Sequence, residues 1–363
     1  MIISVCDFGV NMLVAFIAIV LTLLIVVGLH EMGHAMAARM FSVSIQRVAI
    51  GFGKPLWSWK SQSGIEWVIG RWLLGGYVQL LNTRIQSVPP ELWPVCFDKK
   101  PVWVRCIILL SGGAVNVLVA WLSLTLYFSL GYSYYRPVIE SVLPHGMVAE
   151  AGFEAKDTFV AFNQKETPSW EAVCLRLIAS LGQHHVLVTV MDAKGQLKDR
   201  YLDLDKPLAS GKSIWQGLGF DPDVQQKVWV SGVPLLKAIT EAGKTLQDLW
   251  VFFLVMVKQI VMKRVPFILL LGPIGLIDSV IESFVQGLSA FSYFIASFSL
   301  AVGVVNLFPL PGLDGGSIVY ALVEKIRGKA ISVALELLLY RLAVIAFWVF
   351  FIQLLGNDLL RYV

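Results

Sequence analysis

The sequence predicts a polytopic α-helical membrane protein with four transmembrane helices and one inserted soluble domain. Of its 363 residues, 57% are hydrophobic and only 15% are charged, and the mean hydropathy is +0.72. Soluble domains carry about 25% charged residues. Four apolar segments are long enough to cross a bilayer, which takes about 20 residues. These observations exclude an ordinary soluble globular fold.

The charge and the cysteines exclude two further classes of protein. The formal net charge is +4, and no dense cluster of lysine and arginine is present to neutralise phosphates, so no nucleic acid partner is expected. None of the four cysteines stands in a C-x-x-C pair, which leaves zinc-ribbon and disulfide-framework folds unsupported. The sequence leaves open whether any of them bond; they are Cys6, Cys96, Cys106 and Cys174.

The first predicted span runs from about Val10 to Leu29, and its helix is expected to continue to Met40. We expect this segment to be retained, because it lacks the positive charges and the cleavage site of a signal peptide. The other three spans are predicted at about residues 106–132, 289–307 and 331–355.

Basic residues predict the orientation of the spans. The loop after the first span is rich in lysine and arginine, and the short loop after the third holds Lys325, Arg327 and Lys329. By the positive-inside rule both loops are cytoplasmic. The N-terminus, the C-terminus and the region from about residue 133 to 288 are then expected on the outer side.

The segments between the spans predict smaller structures. Residues 45–80 are rich in β-branched and aromatic residues, which favours a β-hairpin or small sheet that dips toward the membrane. Residues 136–205 alternate apolar and polar runs between turn signals, as in a small strand-rich domain. Residues 208–288 contain two short apolar runs, 249–257 and 265–277, which predict an interfacial helix followed by a re-entrant or surface loop. The predicted domains are thus 1–132, 133–207, 208–288 and 289–363.

One motif indicates metal chemistry. Residues 30–34 read H-E-x-x-H and continue the apolar run of the first span. Positions i and i+4 share one face of a helix, so His30 and His34 can bind one metal ion, and Glu31 beside them can act as a general base. Ionisable residues within a transmembrane helix are costly and usually mark function, so a chance match is the weaker alternative.

A catalytic zinc site usually has three protein ligands, and Asp314 is the expected third one. It follows the third span, which runs from outside to inside, so the topology brings it to the same side as His30 and His34. The alternative is a plain turn residue before Gly315 and Gly316.

Other acidic residues compete with Asp314 for this role. Asp278 and Glu282 are expected on the outer side, and Glu336 is expected to pair with Arg341 on the fourth span. The remaining histidines lie in the insert, on the wrong side for the site; they are His145, His184 and His185.

Together these motifs resemble the site-2 protease family of intramembrane zinc metalloproteases, in particular its bacterial branch that cleaves anti-sigma factors. The matching segments cover most of the chain, and 138–157 resembles the start of a PDZ domain, with Lys156-Asp157 where a Gly-Asp turn is usual. Gly112-Gly113 replaces the Gly-Pro that is common in the family. The other segments are HEMGH at 30–34, GGYV at 75–78, GAVN at 113–116, GPI at 272–274 and NLFPLPGLDGG at 306–316.

The resemblance implies a four-transmembrane-helix metalloprotease core with a membrane-associated β-hairpin and an inserted small PDZ-like α/β domain. It implies one zinc ion held by His30, His34 and Asp314, with Glu31 as the base. It also implies that Asn116 and Asn306 face the active site and hold substrate or the developing oxyanion.

The resemblance further implies that single-span membrane proteins are cut near the cytoplasmic face, in regulated intramembrane proteolysis at a bacterial inner membrane. A monomer is expected. The strand edge at Gly75, Gly76 and Tyr77 can bind an unwound substrate by β-addition. The PDZ-like domain either excludes bulky substrates or binds a peptide C-terminus. The alternative functions are a catalytically silent membrane scaffold and a metal transporter, and a transporter would place polar groups near the midplane.

Overall fold

The computed structural model describes residues 11–205, 213–265, 267 and 270–362, without the side chains of 72–74, 361 and 362. Cys6 and Val10 therefore lie outside the described residues. Within these ranges four helices are long and apolar enough to cross a membrane, and they coincide with the four predicted spans. They are Met12–Met40, Val102–Leu130, Leu288–Asn306 and Val333–Leu360.

The first span changes its helical pitch immediately before the H-E-x-x-H motif. Helix α1 (Met12–Leu23) leads into one π-helical segment (Leu24–Gly28), and helix α2 (Leu29–Met40) carries the motif. Such π-turns are frequent at functional sites. Gly33 lets α2 approach the next span closely, because a Cβ there would lie 2.7 Å from the Ser111 carbonyl oxygen.

Strands β1 (Ile45–Lys60) and β2 (Glu66–Leu80) form the antiparallel pair expected for this loop. Both strands are long and bend, so that the first half of β1 has partners on two sides. Val48 is paired with Val78 on one side and with Trp67 on the other. Residues 76–80 consequently form one edge of this small sheet.

Further helices belong to the first compact unit, which comprises Met1–Tyr127, Ala238–Leu246 and Leu276–Phe351. Buried apolar residues of the first span, of α3 (Val102–Leu130) and of α9 (Leu288–Asn306) pack together as one cluster. Helices α10 (Asp314–Arg327) and α11 (Val333–Tyr362) follow.

The predicted pairing of Glu336 with Arg341 is wrong. The Glu336 carboxylate accepts a 2.7 Å hydrogen bond from Arg84, whose guanidinium also donates to the Ile331 carbonyl at 2.7 Å. Side chains five positions apart point about 140° away from each other around a helix of 3.6 residues per turn. Arg341 therefore lies on a different face of α11, and the partner comes from the segment after β2.

The second unit comprises Phe128–Lys237, Gln247–Gly275 and Ile352–Val363. Its apolar core includes Phe159, Phe162, Trp170, Leu218 and Phe220, so it extends beyond residue 207. The strands are β3 (Gly131–Tyr135), β4 (Ile139–Val142), β5 (Thr158–Phe162), β6 (Lys165–Glu166), β7 (Val186–Met191), β8 (Leu197–Leu202), β9 (Phe220–Pro222) and β10 (Lys227–Ser231). The short helices are α4 (Met147–Glu150), α5 (Trp170–Ser180) and α6 (Ile214–Leu218).

These strands form three separate groups among the described residues. One sheet has the order β6-β5-β7-β8, and β4 pairs with β9 while β10 pairs with β3. Lys156 adopts a φ of 74°, the left-handed region where glycine is usual. This is the position where the PDZ-like pattern has its glycine.

The structure differs in part from the interfacial helix and loop predicted for residues 208–288. Helix α7 (Leu235–Val261) has 27 residues and is much longer than the apolar run at 249–257. The predicted loop over 265–277 does not continue to its end, because helix α8 (Pro273–Val285) begins inside it. Pro273 occupies the first helical position, where its missing N–H costs nothing.

Asp358, near the end of α11, caps the N-terminus of α8. Its buried carboxylate accepts hydrogen bonds from the backbone N–H groups of Gly272 at 2.9 Å, Ile274 at 2.8 Å and Gly275 at 3.0 Å. A carboxylate at this place also interacts favourably with the helix dipole. This contact between distant segments explains why the helix starts where it does.

We expect Asp358→Ala to lower the thermal unfolding midpoint of the detergent-solubilised protein by several degrees. The substitution leaves three backbone donors without this acceptor, and each buried unsatisfied donor costs about 1–3 kcal/mol. Thermal unfolding followed by intrinsic fluorescence measures the shift. Glu140→Ala, at an exposed position of β4, is the control, and equal midpoints for the two variants would contradict the assignment.

Candidate metal centre

His30, His34 and Asp314 converge on one point. The Nε2 atoms of the two imidazoles are 3.2 Å apart, and they lie 3.4 and 3.3 Å from Oδ2 of Asp314. The three possible ligand atoms all lie within 4.8 Å of one another, and this is the one such group found among the described residues. The i, i+4 spacing on α2 and the start of α10 thus produce the cluster that the sequence predicts.

The hydrogen bonds around His34 test whether this cluster suits a metal ion. Its Nδ1 lies 2.8 Å from the carbonyl oxygen of Ile108. A carbonyl oxygen only accepts, so Nδ1 carries the proton, and in the neutral ring Nε2 presents a lone pair toward His30 and Asp314. A second-shell carbonyl that orients a histidine in this way is typical of metal sites. Two imidazoles and one carboxylate are also a donor set that zinc binds, so the residues fit the ion.

The Asp314 carboxyl is held in its ionised form. Burial alone raises its pKa, but when His30 and His34 are protonated, their hydrogen bonds to the carboxylate and their charges outweigh burial and lower the pKa below its usual value. An ionised carboxylate is the form that binds a metal.

Gly112 on α3 is a site residue that sequence reasoning did not assign. A Cβ at this position would overlap Nε2 of His34 and would lie 2.7 Å from Cε1 of His30. The absence of a side chain therefore makes room for both imidazoles. The signal in the sequence was the Gly112-Gly113 pair within an otherwise apolar span.

Gly76 likewise makes room for the side chain of Glu31. A Cβ at Gly76 would lie 2.8 Å from Cγ of Glu31 and 2.9 Å from the Ala49 carbonyl oxygen. The edge of the β1–β2 sheet thus lies directly against the buried Glu31 side chain.

A cavity of about 610 Å³ joins these groups. It is bordered by the metal-binding cluster, by Glu31, by the sheet edge and by Asn306. Its lining therefore combines a possible ion site, a carboxylate and the edge of the β1–β2 sheet. The predicted site residues that border it are His30, Glu31, His34, Gly75, Gly76, Tyr77, Asn306 and Asp314.

Asn116 lies elsewhere. It follows Gly112 by one helical turn, is fully buried, and does not belong to the described residues that border the cavity. Its backbone oxygen accepts a 3.1 Å hydrogen bond from Ser299 on α9, while its amide atoms have no hydrogen-bond partner among the described residues. Its contact with substrate stays a prediction.

A model of peptidase family M50 matches residues 18–350, which include the whole cluster. The chain belongs to peptidase family M50. Membership of M50, the site-2 protease family, confirms the resemblance seen in the motifs. With its apolar helices, this M50 chain is a membrane metalloprotease.

Relatives of this M50 protein carry matching names. A putative zinc metalloprotease of Vibrio cholerae is 35% identical over 57% of this chain and 47% of that protein, so the match spans about half of the relative. The regulator of sigma-E protease RseP of Salmonella typhimurium is 26% identical over 95% of this chain and 98% of its own length. The Escherichia coli protein of the same name is 26% identical over 93% and 96%.

Proposed function

We propose that this chain is a zinc-dependent endopeptidase that cuts single-span membrane proteins inside the bilayer, near its cytoplasmic face. The observation that carries the proposal is the convergence of His30, His34 and Asp314 beside Glu31 in one cavity. Three of these four residues belong to a helix that is apolar enough to span a membrane. M50 membership supports the same reaction.

His30, His34 and Asp314 would hold one zinc ion. When bound, zinc supplies a Lewis acid that polarises a carbonyl and lowers the pKa of water to about 7. The Glu31 carboxylate accepts the proton of the attacking water and delivers it to the leaving nitrogen. The Asn306 amide, on the same cavity, can donate to the developing oxyanion.

The sheet edge at 76–80 would hold the substrate. A transmembrane helix must unwind before it can be cut, and its freed backbone groups are costly in a dry environment unless they are paired. Residues 76–80 pair with β1 on one side, and their other side faces the cavity, next to Glu31. Main-chain hydrogen bonds to this edge would pair the unwound segment. A purely structural loop packed on the membrane is the alternative role.

The insert would act as a PDZ-like α/β domain on the outer side. The φ of Lys156 and the strand-rich core around Phe159 support this assignment. Its role would be to exclude substrates with bulky outer portions, and its rival role is to bind a peptide C-terminus.

The bacterial inner membrane is the proposed location, with both termini and the insert outside. The Salmonella and Escherichia coli relatives are named as regulators of sigma E. Anti-sigma-factor or signal-peptide-remnant proteins are therefore the proposed substrates, cut in regulated intramembrane proteolysis by a monomer. A catalytically silent scaffold remains the competing function, but it has no use for an intact Glu31 beside a complete ligand set.

Asp314→Asn tests the proposed metal centre. We expect the purified variant to bind zinc at least about tenfold more weakly, because the amide lacks the ligand charge of the carboxylate. Zinc content measured by elemental analysis and cleavage of a co-expressed single-span substrate should both fall. Glu336→Gln, which removes an acidic group paired with Arg84, is the control and should keep its zinc. Full zinc occupancy in Asp314→Asn would refute the assignment.

A further inference from the structure

The side chain of Arg47 on β1 contacts both Glu66 in the sheet and Tyr77, which borders the cavity. Its Nε donates to Oε2 of Glu66 at 2.8 Å, and its Nη2 lies 2.8 Å from the same oxygen. Its remaining terminal nitrogen, Nη1, donates to the hydroxyl oxygen of Tyr77 at 3.4 Å. Arg47 and Glu66 are register partners in the sheet, so the ion pair fixes the direction of the guanidinium.

Tyr77 is held from two sides. Its ring stacks on Phe52, with centroids 6.2 Å apart and planes 14° from parallel, while Arg47 contacts its hydroxyl group. Both aromatic residues border the cavity that contains Glu31 and Asp314. The side chain is thus fixed at the strand edge that the proposed function assigns to substrate.

The donor and acceptor groups of Arg47, Tyr77 and Glu66 determine the direction of the hydrogen bonds between them. A guanidinium has only hydrogen-bond donors, so Arg47 donates to a lone pair of the Tyr77 oxygen. The Tyr77 hydroxyl proton can then be donated to another acceptor. Glu66 keeps the guanidinium in place as its charged acceptor. A phenol that is polarised by a cation and that borders the cavity is well suited to donate to a carbonyl oxygen.

We propose that Arg47 is a positioning residue, which holds the Tyr77 hydroxyl so that its proton is donated to a backbone carbonyl of the substrate segment along the sheet edge, in a hydrogen bond that forms fully only in the transition state. The proposal rests on the proposed protease function and deepens it. Glu66 acts one step further away, by orienting Arg47.

A purely structural ion pair is the alternative explanation. The side chains of Arg47 and Glu66 are 35% and 27% exposed, and pairs with this much solvent contact contribute little to stability. A structural role would therefore change folding slightly and leave the turnover of folded enzyme unchanged. A positioning role changes turnover and acts only through Tyr77.

Steady-state cleavage of a purified single-span substrate by the full-length, zinc-loaded enzyme separates the two roles. We expect Tyr77→Phe and Arg47→Met each to lower kcat about tenfold with little change in KM, as for a hydrogen bond that is strongest in the transition state. The double variant should be no slower than either single variant, because Arg47 acts through Tyr77. Gln46→Leu, which removes a 3.1 Å hydrogen bond to Gln79 in the same sheet, should keep the wild-type kcat.

The charge swap Arg47→Glu with Glu66→Arg supplies the decisive comparison. It retains an ion pair but removes the donor to Tyr77, so kcat should stay as low as in Tyr77→Phe. If the swap restores the wild-type kcat, or if Arg47→Met slows the Tyr77→Phe enzyme as much as it slows wild type, the proposal is overturned. If the Arg47→Met protein does not accumulate in cells, the charge swap by itself tests the proposal.

Glu31→Gln sets the baseline for these measurements. If wild type cleaves the substrate no faster than a sample without enzyme, the protease assignment itself fails. The Arg47 proposal concerns only the differences above that baseline, so the two failures can be told apart.

Discussion

Glu31→Gln is expected to lower substrate cleavage about 10²–10⁴-fold, the usual contribution of a general acid–base group. Glutamine preserves the size of the side chain, which is buried against Gly76, but it cannot accept a proton from water. Glu31 does not belong to the cluster of possible metal ligands, so the zinc content should stay at the wild-type level. A co-expressed single-span substrate should therefore accumulate uncut.

Two measurements on the same preparations make this result specific. Glu91→Gln changes an exposed glutamate outside the cavity and should cleave like wild type. Zinc analysis shows whether the Glu31→Gln centre is still loaded. Wild-type cleavage by a zinc-loaded Glu31→Gln enzyme would remove Glu31 from the mechanism.

Gly112→Ala is expected to reduce zinc binding at least tenfold, and cleavage should fall with it. The added methyl group would overlap Nε2 of His34 and crowd Cε1 of His30 at 2.7 Å. One or both imidazoles must then turn away from Asp314. Because Gly→Ala within a helix is intrinsically favourable by about 1 kcal/mol, the helix itself should persist, and the loss should be confined to the metal centre.

Gly113→Ala is the matched control in the same helix. A Cβ there meets Leu307 and the Gly303 carbonyl oxygen at 3.7–3.8 Å, which is ordinary van der Waals contact. Both substitutions change helix propensity equally, so a difference in zinc content reports the position of the methyl group. Equal zinc binding by the two alanine variants would show that the imidazoles do not need the space at Gly112.

Local sequence patterns are sufficient to predict the four spans and the part of the candidate site that lies on α2. A run of about 20 apolar residues has one stable arrangement in a bilayer, because a helix satisfies its own backbone hydrogen bonds. Once that helix is accepted, the spacing of His30 and His34 places both imidazoles on one face. The H-E-x-x-H chemistry follows from these local rules.

Long-range contacts explain where the predictions failed. Glu336 pairs with Arg84, 252 residues away in sequence, whereas a local pattern offers only Arg341. The start of α8 depends on Asp358, which lies more than 80 residues further along the chain. Neither partner can be identified from spacing, because side chains of opposite charge or complementary polarity occur throughout the chain.

The sequence by itself determined the four membrane helices, the histidine pair with its adjacent glutamate, and the membership of a metalloprotease family. The tertiary structure alone decided that Asp314 comes within 3.4 Å of both imidazoles, that Gly112 leaves the space for them, and that Arg47 reaches Tyr77. Helical periodicity and hydropathy act over a few turns, so a sequence encodes them directly. Distances between separate elements depend on how whole helices and strands pack, which no local pattern specifies.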